Sequence, residues 1–119
     1  MIEQPTEITL HQQSRELEIA FVDSRYRFSY EFLRVHSPSA EVRGHGPGQE
    51  VLQVGKQAVN VLGVEPVGSY AMKIMFDDGH DSGLYTWEYI RHLGQNQDAL
   101  WQDYLRRIKE TGASRAPTR

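Results

Sequence analysis

The amino-acid sequence predicts an α+β fold: a small single domain, mainly antiparallel β-sheet hairpins, with two C-terminal helices and a long Gly/Pro-rich loop. Three observations predict it. Apolar residues alternate with polar ones between Ile8 and Tyr30 and again over residues 59–76, the two-residue period of half-buried strands. Beyond Thr86 the spacing changes to that of amphipathic helices. Between the two strand regions, residues 36–57 are crowded with Ser, Pro, Gly, His and charge, a composition that breaks regular elements. The 119 residues support one hydrophobic core, and we assign residues 1–112 to the domain and 113–119 to a flexible tail.

Taken in order, Ile8 and Leu10 mark a first short strand, and Gln12, Gln13, Ser14 and Arg15 turn the chain. Leu17, Ile19 and Phe21 then share one face while Glu16 and Glu18 take the other, completing a hairpin. Asp23 and Ser24 form a second turn. Tyr26, Phe28 and Tyr30 make a third strand, followed by one helical turn over residues 32–34. Residues 51–54 are expected as a brief strand inside the long loop. Residues 59–67 and 70–76 pair through Gly68 and Ser69, with Tyr70, Met72, Ile74 and Phe76 on one face. An acidic turn over residues 77–83 leads to Leu84 and Tyr85. Thr86 caps a helix lined by Trp87, Ile90 and Leu93 and stopped at Gly94. Asn96 caps a second, striped by Leu100, Trp101, Tyr104, Leu105 and Ile108. Asp98 near its start and Arg106, Arg107 and Lys109 near its end complement the helix dipole.

Composition narrows the chemistry. A formal net charge of -3 lacks the basic footprint of a nucleic-acid binder. With no cysteine, this chain alone forms no disulfide, no Cys-ligated zinc site, no iron–sulfur ligation and no thiol nucleophile. No apolar run approaches the ~20 residues of a membrane span, and the first residues carry no secretory pattern. The expectation is a cytoplasmic domain with a protein partner and with neither nucleic acid nor membrane as its target.

Metal ligation would fall to histidine and carboxylate. His36 and His45 lie in the long loop and His80 in the acidic turn, so a loop folded over that turn would bring the three together. Read singly, each is a surface or hydrogen-bonded loop histidine. No histidine is followed two residues on by an acid (Gln13, Pro38, Pro47, Ser82 and Gly94 stand there), which argues against the 2-His-1-carboxylate iron site. Residues 44–48 could cradle an anion through backbone amides, but Gly55, Lys56 and Gln57 lack the hydroxyl of a P-loop. Asp77, Asp78 and Asp81 lack EF-hand spacing and read as hairpin chemistry. Ser37 and Ser39 lack the G-x-S-x-G elbow of an activated nucleophile.

Three stretches together, residues 32–42 (FLRVHSPSAEV), 43–49 (RGHGPGQ) and 76–87 (FDDGHDSGLYTW), resemble the γ-butyrobetaine hydroxylase-like N-terminal domain, DUF971. The resemblance runs from about Ile8 to Ile108. In eukaryotic dioxygenases such a domain precedes a catalytic domain of the 2-oxoglutarate/Fe(II) class. The resemblance therefore implies a free-standing accessory part here. Similar domains fused to Mrp-like ATPases imply a link to iron–sulfur cluster assembly. The family's structural zinc is held by three cysteines and a histidine; by the resemblance those positions fall at Ser37, Ser39, Val42 and His80. A hydroxyl is a poor zinc ligand and an isopropyl group is none. Zinc or iron would then need His80 with new partners, His45 and His36. Without metal, Ser37 and Ser39 are expected to hold the segment by hydrogen bonds beside Pro38.

Three functions follow as expectations. The first is a non-catalytic accessory or protein-interaction domain, its surface formed by Arg34, Ser37, Ser39, Glu41, Arg43, His45, Asp78, His80 and Tyr85, with Tyr85 as anchor. The second is a metal-binding module centred on His80. The third is an enzyme acting on a small anion at the glycine-rich loop.

Overall fold

The computed structural model describes residues 3–44 and 48–117. The period-two segments become two three-stranded antiparallel sheets. In the first, β1 (Glu7–His11), β2 (Glu16–Ala20) and β3 (Arg25–Ser29) form a meander with β2 in the middle. Leu17, Ile19 and Phe28 point inward and are fully buried. The outer face carries opposite charges across the strands: Glu18 accepts from Arg25 at 2.5 Å and lies 2.7 Å from His11, and Arg27 donates to Glu16 at 3.0 Å. Such exposed cross-strand pairs each contribute a few tenths of a kcal/mol up to about 1. They hold the register more than they stabilise the fold.

The third strand stops one residue earlier than its alternation suggests. Ser29 accepts the Phe32 N–H on its hydroxyl at 3.0 Å, and this cap starts helix α1 (Tyr30–Val35) at Tyr30. All six residues of α1 are buried, so it runs through the core rather than over it. Helix α2 (Ala40–Arg43) interrupts the long loop. It ends at Gly44, where φ is 72° and an added Cβ would lie 2.0 Å from the Gln49 carbonyl oxygen. Only glycine fits there. The strand expected over residues 51–54 does not form. Val51 donates a single bond to the Val42 carbonyl at 2.8 Å, Leu52 packs beside Tyr104 and Ile108, and the segment joins neither sheet.

The second sheet has the order β4 (Val61–Val67), β5 (Ala71–Phe76), β6 (Leu84–Thr86), with a bulge between Val61 and Gly63. Met72, Ile74 and Phe76 face the core as expected; Tyr70 lies before the strand and is exposed. Thr86 caps α3 (Trp87–Gln95) by accepting the Tyr89 N–H at 3.1 Å. Gly94 does not stop this helix. It sits inside the last turn because a Cβ there would meet the Tyr26 ring at 2.3 Å. The cap residue is Asn96, whose amide turns back to the His92 carbonyl at 2.9 Å instead of capping α4 (Gln97–Thr111). One core joins both sheets with α1 and α3, and a smaller cluster of Val35, Tyr104 and Ile108 seats α4 on the end of α1.

The segment after α4, expected to be loose, is tied down as far as it is described. Ser114 and Arg115 carbonyls accept from Gly55 and Gln57 N–H at 2.9 Å each. The Arg115 guanidinium forks onto buried Glu31 at 2.7 and 2.8 Å. Residues 118–119 lie outside the described residues. No helix among the described residues is long and apolar enough to cross a membrane.

Gly94→Ala gains helix propensity of up to about 1 kcal/mol and suffers an overpacking cost of about 1–3 kcal/mol against an aromatic ring. The expected outcome in denaturant unfolding is a net loss of about 1–2 kcal/mol. A stabilised variant would mean that Tyr26 yields freely.

Candidate functional site

The long loop does fold over the acidic turn, and the meeting point is built from its two serines. After α1, residues 36–39 bend around Pro38 and leave Ser37 and Ser39 facing residues 77–83. Gly83 passes so close that an added Cβ would lie 2.4 Å from Ser37 Oγ and 3.0 Å from Pro38 Cδ. The turn raises His80 into this contact, with Nε2 at 2.8 Å from Ser37 Oγ and 3.4 Å from Ser39 Oγ. Ser39 N–H donates to Ser37 Oγ at 3.3 Å. On the far side of the ring, His80 Nδ1 is 3.4 Å from Glu41 of α2. Burial lowers the His80 pKa, the Arg34 charge lowers it further, and Glu41 and Asp78 only partly oppose this. The ring is therefore neutral at neutral pH. Ser37 Oγ and Nε2 share a hydrogen bond, with Glu41 near the ring's other nitrogen. These hydrogen bonds clasp the loop to the turn.

A second set of bonds lies beside the clasp. Arg34 of α1 is buried and donates through Nε to Asp78 Oδ2 at 2.8 Å and through a terminal nitrogen to Gln53 at 3.0 Å. Lys56 reaches the same Asp78 oxygen at 2.7 Å, and His80 N–H donates to its other oxygen at 3.2 Å. Burial alone would raise the Asp78 carboxyl, but the bonds from Lys56 and Arg34 outweigh it and hold its pKa at about 2.

The sequence-predicted surface is thus mostly interior. Ser37 is 1% exposed, Ser39, Arg34 and His80 are buried, and Tyr85 is fully buried with its hydroxyl donating to the Leu33 carbonyl at 2.6 Å. Tyr85 is a core residue in this structure. Glu41 and Arg43 are exposed, and Asp78 is engaged as above. His36 is not brought into the His80 cluster: its Nδ1 meets the Phe32 carbonyl at 2.9 Å and its ring packs on Phe32 and towards Tyr104. His45 and most of the glycine-rich loop lie outside the described residues. Sequence reasoning missed Lys56, Gln53 and the Glu31–Arg115 pair; nothing local marks a partner 84 positions away.

The donors at the family's zinc positions do not fit zinc. They are two neutral hydroxyls, one imidazole and the buried Val42 side chain. Two zinc ligands in a tetrahedron stand about 3.3 Å apart, whereas Ser37 and His80 are in direct contact at 2.8 Å. Among the described residues, no group of three His, Asp or Glu side chains is placed to hold an ion. The order Ser37, His80, Glu41 also mimics a nucleophile, base and orienting acid. Ser37 is 1% exposed in this arrangement.

The clasp predicts coupling. His80→Ala is expected to cost about 1–3 kcal/mol by leaving buried hydroxyls unpaired, and Ser37→Ala in that background to cost little more. A double-mutant cycle in urea that gives independent effects would refute the clasp. Acid adds a separate test. Because the folded Asp78 pKa is depressed below its ordinary 3.8, its contribution is complete above that value and is lost as pH falls towards about 2. Asp78→Asn should unfold with a flatter pH dependence across that window; an unchanged slope would show the ion pair to be uncoupled from folding.

Solved structures resemble this one, three of them as follows. Two are NMR solution structures: one is 50% identical with a TM-score of 0.85, covering 100% of this chain and 94% of that one, and the other 47% identical with a TM-score of 0.83, covering 98% and 88%. The third is the crystal structure of a protein of unknown function of the DUF971 family from Acidithiobacillus ferrooxidans ATCC 23270, 39% identical with a TM-score of 0.64, covering 76% and 92%. No curated protein matches the chain. The family described as gamma-butyrobetaine hydroxylase-like, N-terminal, matches over residues 8–91. With its clasp formed at the positions that carried the resemblance, the chain belongs to that family.

Proposed function

We propose that the domain is a non-catalytic protein-interaction module and that its contact face is α2 with the outer side of the 77–83 turn. One observation carries this reading. The groups suited to chemistry, Ser37 and His80, are buried against each other, while the charged side chains of α2 face outward on a base they help to fix. The Glu41 side chain is 73% exposed, and Arg43 is exposed beside it. A rigid, charged protrusion of this kind loses little conformational freedom on binding and orients a partner by charge. Membership of a family whose name refers to an N-terminal part agrees with an accessory role.

The test is affinity capture with the wild-type chain against a Glu41→Lys/Arg43→Glu variant whose unfolding midpoint matches the wild type. A partner recovered with the wild type and lost with the charge-reversed chain is the expected result. Equal recovery from both would remove α2 from the interface.

A further inference from the structure

A cavity of about 120 Å³ lies where the end of α1, α2, the 50–53 segment, α3 and α4 meet. Its walls are mixed, with Val42 and Leu52 on the apolar side. Its aromatic walls are fixed in place. The Tyr89 hydroxyl donates to the His36 carbonyl at 2.6 Å and the Tyr104 hydroxyl to the Gln53 carbonyl at 2.7 Å. Two guanidiniums border it: Arg43, whose carbon lies 5.2 Å from the centre of the Tyr89 ring, and Arg107 of α4. Among the described residues, neither is paired with a carboxylate.

Two acids at the cavity, Asp103 and Glu50, offset part of this pair. Asp103 accepts from Arg106 at 2.5 Å, a guanidinium it shares with Glu110 at 2.5 and 2.8 Å. His36 contributes no charge: burial lowers its pKa, the Phe32 carbonyl only partly offsets this, and Arg107 lowers it again. Its Nδ1–H donates to that carbonyl, so Nε2 is an acceptor. Glu50 alone stands at the rim without a partner among the described residues, and it opposes a second negative charge on any occupant.

We infer that this cavity binds a small organic monocarboxylate, with the carboxylate between Arg43 and Arg107 and the apolar body against Leu52 and the Tyr89 ring. The size agrees. An apolar cavity of about 150 Å³ holds benzene, so this one takes a body of about six non-hydrogen atoms. Guanidiniums favour carboxylates through paired charge-assisted bonds. Glu50 selects against dianions and phosphate. The inference shares Arg43 with the proposed contact face, but Arg107 and Glu50, on which its test rests, lie outside that face.

Amide NMR titration with sodium isobutyrate, against isobutyramide and inorganic phosphate, tests it. Isobutyrate should shift the amides of Leu52, Tyr89 and Arg107 saturably in the millimolar range, and the other two compounds should not. Arg107→Gln should weaken isobutyrate roughly tenfold, the loss of one charge-assisted bond. Glu50→Gln, which removes the opposing charge, should tighten it. Both variants report their own folding in the same spectra. Shifts that never saturate, equal shifts from the uncharged amide, or Glu50→Gln and Arg107→Gln titrations superposable on the wild type would each overturn the inference.

Discussion

A guanidinium buried in the interior must find a carboxylate, and in this domain that requirement is met between Arg34 of α1 and Asp78 of the 77–83 turn. The pair joins the first half of the chain to the second sheet. Lys56 and Gln53 complete it, so the 50–57 segment is ordered by the same atoms that hold the turn. Replacing such a pair with well-packed apolar residues is often neutral or stabilising, whereas removing one partner is costly. Its value here is placement. With Asp78 fixed, His80 two residues later enters the serine pair in one orientation, and α2 is presented from a firm base.

Direct contacts close the loop by the same logic. Zinc would tie four side chains through one centre; Ser37, Ser39, His80 and the Gly83 backbone achieve closure by direct contact. Each hydrogen bond contributes about 1 kcal/mol, far less than a structural zinc does. The packing around α1 adds to these bonds: both of its buried charged residues are paired, and its apolar residues fill the core shared by the two sheets.

Much of the fold was legible because it rests on local periodicity. Leu17, Ile19, Met72, Ile74 and the Trp87–Ile90–Leu93 stripe landed on the inner face they suggested, and the Thr86 cap formed where expected. What escaped was non-local. Gly94 looks like a helix stop until Tyr26 is placed against it. Residues 51–54 have the composition of a strand but join neither sheet. The site was half legible: the family resemblance implied that Ser37, Ser39 and His80 lie together, and they do, whereas His36 stays apart. Their burial, and that of Tyr85, depends on how tightly Gly83 lets two segments approach, which no spacing encodes.

The family match ends at residue 91, yet α4 and the stretch after it supply Tyr104, Ile108 and Arg115 to the end of α1. A border drawn by similarity is therefore not the border of the folding unit. A fragment cut at the former would strip the Val35 side of α1 of its apolar cover and strand Glu31, an acid with almost no access to water. Anyone grafting this domain onto another protein should carry the C-terminal helix and its arginine along with it.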